Sequence, residues 1–102
     1  MSGSAMTRLP AGVHVYKQTP VFDERTIPKG LLARHTTKPG VWARIRVLEG
    51  ELAFRELEPA VLLHVLGPGR DGIVAPEAPH EVEPRGAVRF FVEFLRASDA
   101  PS

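Results

Sequence analysis

Proline and glycine interrupt this chain so often that a long helix has nowhere to form. Ten prolines and nine glycines are spread through 102 residues, and no stretch between them places apolar residues at a 3.6-residue period. What remains are short runs rich in β-branched and aromatic residues, bounded by turn formers: Val13 to Lys17, Leu31 to Thr37, Val41 to Glu49, Glu51 to Leu57, Val61 to Leu66, Ile73 to Ala75, His80 to Glu83 and Val88 to Leu95. Short strands at such spacing predict an all-β sandwich or barrel. Val41 to Leu48 alternates strictly, so Val41, Ala43, Ile45 and Val47 are expected in the core, with Trp42, Arg44, Arg46 and Leu48 on the other face. Val88 to Leu95 is apolar on both faces apart from Arg89 and Glu93. It is therefore expected to be covered on both sides, one of them by a second copy of the chain in a homodimer. Leu48 to Glu51 reads as a hairpin turn that uses the positive φ open to Gly50.

Length and composition narrow the function. The chain is long enough for one core without disulfides or metal, which gives a domain over residues 9–96 between polar tails at 1–8 and 97–102. No apolar run approaches the roughly 20 residues that span a bilayer, and a basic segment followed by an apolar one is missing from the start, which points to the cytoplasm. A formal net charge of +1 gives no concentrated basic face for nucleic acid. Arg34, Lys38, Arg44 and Arg46 do form a local basic excess, for which a solvated strand face is the plainer reading and a site for a small anion the alternative. With no cysteine, any metal would be held by imidazole and carboxylate. The serines all lie in the tails and no glycine-rich loop opens a helix, so serine hydrolase and nucleotide-binding readings fall away.

The four histidines are unequal. His35 ends a strand-like run just before a turn, and His80 follows two prolines in Pro76-Glu77-Ala78-Pro79-His80. Both stand where strand meets loop, the usual place of ligands at a barrel mouth. His14 and His64 lie within alternating apolar runs and read as structural or exposed. Trp42 and Tyr16 suit either a pocket wall or a core or dimer contact.

Several segments resemble the TehB/YeaR-like family of small cupins. Val47 to Phe54 is similar to the hairpin that closes the first cupin motif, and Ile73 to His80 is similar to the second motif. Tyr16 to Asp23, Ile27 to Leu32, Arg34 to Lys38, Gly40 to Trp42 and Phe90 to Phe94 resemble the family itself, over about Leu9 to Arg96. The resemblance implies a cupin-type barrel (a double-stranded β-helix, or jelly roll), with His35 and His80 facing one another as metal ligands, and an association with tellurite resistance. The paired His-x-His of an ordinary first motif is not present, since Thr36 and Thr37 follow His35 and Ala43 stands seven before Gly50. A carboxylate would complete a two-His-one-carboxylate site, and Glu93, the charge in an apolar strand, is preferred. Glu81 and Glu83 are alternatives. Glu93 equally suits an ion pair with Arg44, Arg46 or Arg89.

Three functions follow. The first is a binding or sensing module holding a divalent metal (Zn, Fe, Ni or Mn) through His35, His80 and Glu93. Its small-molecule or oxyanion ligand would be assisted by Arg44, Lys38, Trp42 and Arg46. The second is a metal-dependent oxygenase-like or isomerase-like enzyme acting on a small organic substrate. The third is a metal-free homodimeric interaction module.

Overall fold

The computed structural model describes residues 8–97. The elements in chain order are β1 (Val13–Gln18), β2 (Phe22–Asp23), one 3-10 turn (Lys29–Leu31), β3 (Trp42–Glu56), β4 (Leu62–Leu66), β5 (Gly72–Val74) and β6 (His80–Ala97). Ala97 closes β6, and the rest of the two expected tails, apart from Arg8, lies outside the described residues. The all-β expectation holds. The sheet is antiparallel and open: hydrogen bonding runs β1-β6-β3-β4, with β2 added to β6 and β5 to β3, so the pairing does not close the expected cupin-type barrel.

Two strands make most of this sheet. β3 and β6 pair antiparallel along nearly their whole length, from Trp42 opposite Leu95 to Glu56 opposite His80. Each merges two runs that read as separate strands in the sequence. The cause lies at Gly50, which has a φ of 79°. That conformation serves a hairpin or a bulge equally well, and here the strand continues through it, with register shifts between Val47 and Glu49 and between Gly50 and Leu52. A side chain at Gly50 would place its Cβ 2.1 Å from the Ala87 carbonyl oxygen. The bulges bend the two long strands where Gly50 comes close to Ala87, and the bend lets their halves share one core. Ala43, Ile45 and Val47 from before it cluster with Leu52 and Phe54 from after it, together with Val82, Val88, Phe90 and Val92 of β6.

Leu31 to Thr37 is not a strand. It holds the end of the 3-10 turn and a loop tied to β6 only at an isolated bridge between His35 and His80. Proline and glycine before Leu31, and proline and glycine after Thr37, leave too few residues for regular pairing. Phe90 and Val92 enter the core, while Leu95 lies in register between Val15 of β1 and Trp42 of β3 and is buried.

Gly50→Ala is expected to lower unfolding free energy by about 2 kcal/mol or more, because strain at positive φ adds to a backbone clash. Equilibrium urea unfolding measures this; a loss no larger than that of an exposed Gly12→Ala control would show that the bend does not require close approach.

Candidate functional site

Inside the bend, a cavity of about 240 Å³ opens between the inner faces of β3 and β6 and the segment that carries the 3-10 turn. Alternation supplies its floor, since Ala43 and Ile45 of β3 and Phe90, Val92 and Phe94 of β6 point the same way. Phe22 of β2 adds a third ring, set edge-on to Phe90 with centroids 5.7 Å apart. The wall is almost entirely apolar. Its two threonine hydroxyls are already engaged: Thr19 Oγ1 accepts from the Val92 amide at 3.0 Å, and Thr37 Oγ1 accepts from the Glu77 amide at 3.0 Å. The two remaining polar side chains in the wall are His35 and His80.

These two histidines are held together by the backbone. The His35 amide donates to the His80 carbonyl and the His80 amide to the His35 carbonyl, each at 2.9 Å. Their rings meet edge to face at 5.3 Å, and the His80 ring also lies edge-on to Phe54. His80 Nδ1 is 3.0 Å from the Ala78 carbonyl oxygen. A carbonyl only accepts, so Nδ1 carries the proton, and in the neutral ring Nε2 keeps its lone pair. Nε2 has no protein partner, and no buried side-chain nitrogen or oxygen is unsatisfied among the described residues. Nε2 is therefore not sealed off, and His80 itself lines the cavity. Burial pushes the His80 imidazole below its ordinary value, the bond to Ala78 opposes this, and the neighbouring His35 adds to the lowering. At neutral pH the site thus presents a hydrogen-bond acceptor in an apolar wall.

The other expected site residues are elsewhere. Glu93 lies between Val92 and Phe94 on β6 and so faces the opposite side of the sheet. There its Oε1 accepts from Arg44 Nε at 2.7 Å and lies 3.7 Å from Arg46 Nη1. The ion pair is the correct reading of Glu93, because a buried carboxylate across from an arginine is neutralised where it stands. Trp42, Arg44 and Arg46 share that outer face, away from the cavity, because Ala43 and Ile45 between them point inward. Glu81 and Glu83 both bind Arg55, Glu81 at 3.0 Å. His64 pairs with Glu56 and stacks on Phe54, and His14 is exposed on the edge strand β1. Among the described residues no three His, Asp or Glu side chains are placed to hold a metal ion. The two-His-one-carboxylate site is therefore not formed: the third ligand is on the wrong face.

Of the expected ligand-binding residues, Lys38 lines a second hollow. This hollow, of about 190 Å³, is lined by Tyr16, Lys17, Thr36 and Lys38 and shares His35, Thr37 and Phe94 with the first. Lys17 and the three phenylalanines were not singled out in the sequence. The phenylalanines show no signal beyond alternation, which marks core and cavity wall alike.

Stability should carry the signature of His80. Its folded-state affinity for a proton is below that of the unfolded chain, whose value is 6.5, so the unfolded state binds more protons once pH falls under that value. The contribution is fully present above about pH 6.5 and is lost as pH drops toward the folded value. Thermal midpoints of wild type are expected to fall more steeply from about pH 7 to about pH 5 than those of His80→Phe; parallel curves would show that His80 is not held neutral.

Comparison with known proteins places this architecture. A family model described as the TehB-like domain matches residues 17–92. A protein of Haemophilus influenzae named probable S-adenosyl-L-methionine-dependent methyltransferase TehB is 36% identical over 72 residues, which are 67% of this chain and 25% of that protein. YeaR of Escherichia coli K12, an uncharacterised protein, is 26% identical over 87 residues, covering 76% of this chain and 72% of its own. Among solved structures, one of a protein from Escherichia coli K12 superposes with a TM-score of 0.84 at 23% identity, over 92% of this chain and all of that one. The crystal structure of TehB from Haemophilus influenzae superposes with a TM-score of 0.79 at 29% identity, over 85% of this chain and 32% of that one. The chain thus spans about a quarter of the length of the TehB relatives it matches in sequence. The metal-binding cupin function and its divalent metal are overturned on two counts: Glu93 does not join His35 and His80, so no three-ligand group forms among the described residues, and the TehB relatives are named for S-adenosylmethionine-dependent methyl transfer. With three quarters of its length matching one family model and the same fold in TehB itself, the chain belongs to the TehB-like family.

Proposed function

We propose that this chain is a small-molecule-holding domain that serves methyl transfer, seating a compact, mostly apolar methyl acceptor that carries one O–H, N–H or S–H group. The observation that supports it is the apolar cavity with a neutral imidazole acceptor in its wall. Three phenylalanine rings favour an aromatic guest through edge and offset contacts. An acceptor-only wall selects against a guest with no donor, because a single polar group in an apolar surround discriminates by the partner left unpaired.

S-adenosylmethionine itself does not suit the cavity. No carboxylate lines it to meet ribose hydroxyls or a cationic ammonium and sulfonium, and about 240 Å³ is under the ~300 Å³ where pockets for drug-sized ligands begin. The reading therefore assigns this chain the acceptor side of the reaction, and derives no methyl-donor step from its residues.

Phenol and its methyl ether, anisole, test the proposal. Titrations followed by amide NMR shifts are expected to show phenol perturbing Val82, Phe90 and Val92, with anisole about tenfold weaker for want of a donor. In His80→Phe the two should bind alike. Failure of phenol to shift these amides, or equal affinities in wild type, would refute the reading.

A further inference from the structure

The second hollow extends this reading, on which the following inference rests. Its chemistry is opposite to that of the first. Lys17 and Lys38 line it together with the exposed Thr36 and with Tyr16, and no carboxylate does. Neither lysine has an ion-pair partner among the described residues. On the outer face, by contrast, Arg44, Arg46 and Arg55 are all matched to acidic groups.

The backbone turns Lys17 toward this hollow. Val15 is opposite Leu95 in register, but Lys17 is opposite Phe94, because the β1–β6 ladder slips by one residue between them. In a regular strand Val15 and Lys17 would share a face. The bulge makes Tyr16 the extra residue, with Arg96 stacked 4.2 Å over its ring, and sends Lys17 to the side of Phe94. Bulges re-aim single side chains in this way beside functional sites. Lys38 arrives from the other side, on the turn closed by the Val41 amide and the Lys38 carbonyl at 3.0 Å. Two unneutralised ammonium groups thus border one hollow, which joins the apolar cavity along His35, Thr37 and Phe94.

From this we propose that the second hollow is an anionic head-group subsite, and that the molecule held across both hollows is the monoanion of an aromatic acid. Its carboxylate lies between Lys17 and Lys38. Its ring passes Phe94 into the apolar cavity, where a hydroxyl or similar donor meets His80 Nε2.

Calorimetric titration of the full chain at low salt with phenol, 4-hydroxybenzamide and 4-hydroxybenzoate separates the two claims. The acid is expected to bind about tenfold more tightly than the isosteric amide, as charge-assisted hydrogen bonds predict. Lys17→Met combined with Lys38→Met should abolish that preference while phenol binding stays unchanged, which also shows that the variant is folded. Ala43→Leu, which fills the apolar cavity, should weaken all three ligands. Equal binding of acid and amide, or a preference that survives loss of both lysines, would overturn the subsite and leave the cavity reading standing if phenol still binds. Acid binding untouched by Ala43→Leu would reduce the lysines to surface ion pairing and overturn the inference. No binding of any of the three would overturn the cavity reading and this one together.

Discussion

The long pairing of β3 with β6, bent where Gly50 meets Ala87 and Val88, is the constraint on which the rest of the molecule depends. A straight ribbon of two strands has two open faces and little to bury. Once bent, its halves face each other, and Phe54, Leu52 and Val82 beyond the bend close over Ile45, Phe90 and Val92 before it. The short strands β1, β2, β4 and β5 then attach to edges that β3 and β6 have already set. Because the bulges beside Gly50 shift the phase of alternation on β3, the odd-numbered Ala43, Ile45 and Val47 before the bend and the even-numbered Leu52 and Phe54 after it all face one core, and the other face carries Arg44, Arg46 and Arg55.

That partition decides which chemistry is available. Every cation on the outer face of β3 has an acidic partner, Arg44 and Arg46 through Glu93 and Arg55 through Glu81 and Glu83. These groups offset one another's charge, which is why a glutamate can stand in the middle of an apolar strand without binding a metal. The inner face has no such compensation. It holds phenylalanines, aliphatic residues and two imidazoles, so the polar group it offers to a guest is a nitrogen lone pair with a defined tautomer.

The His35–His80 bridge connects fold to site. Its two backbone hydrogen bonds fasten an otherwise irregular loop to the first residue of β6, and in doing so set one wall of each hollow. The Ala78 carbonyl then orients the His80 ring, so a proline-rich approach that looked like a rigid ligand loop serves to fix a proton on Nδ1 instead.

Much of the architecture was legible in the residues. Proline and glycine spacing excluded helices, alternation in Val41 to Leu48 named the core face correctly, and the segments around His35 and His80 identified the family. That His35 and His80 face one another was implied by the family resemblance, and both do line one cavity, joined by a backbone bridge. Other features were decided only by tertiary structure. Positive φ at Gly50 fits a hairpin or a bulge, and the choice rests on whether Ala87 comes within contact. Glu93 reads as ligand or ion-pair partner until the register sets Arg44 across from it. In a regular strand Lys17 would share a face with Val15, but a one-residue slip turns it to the side of Phe94, and strand alternation, having a period of two, inverts every assignment beyond such a slip. Local chemistry chose the elements and their faces; which faces meet depends on contacts between residues tens of positions apart, and these exist only in the folded chain.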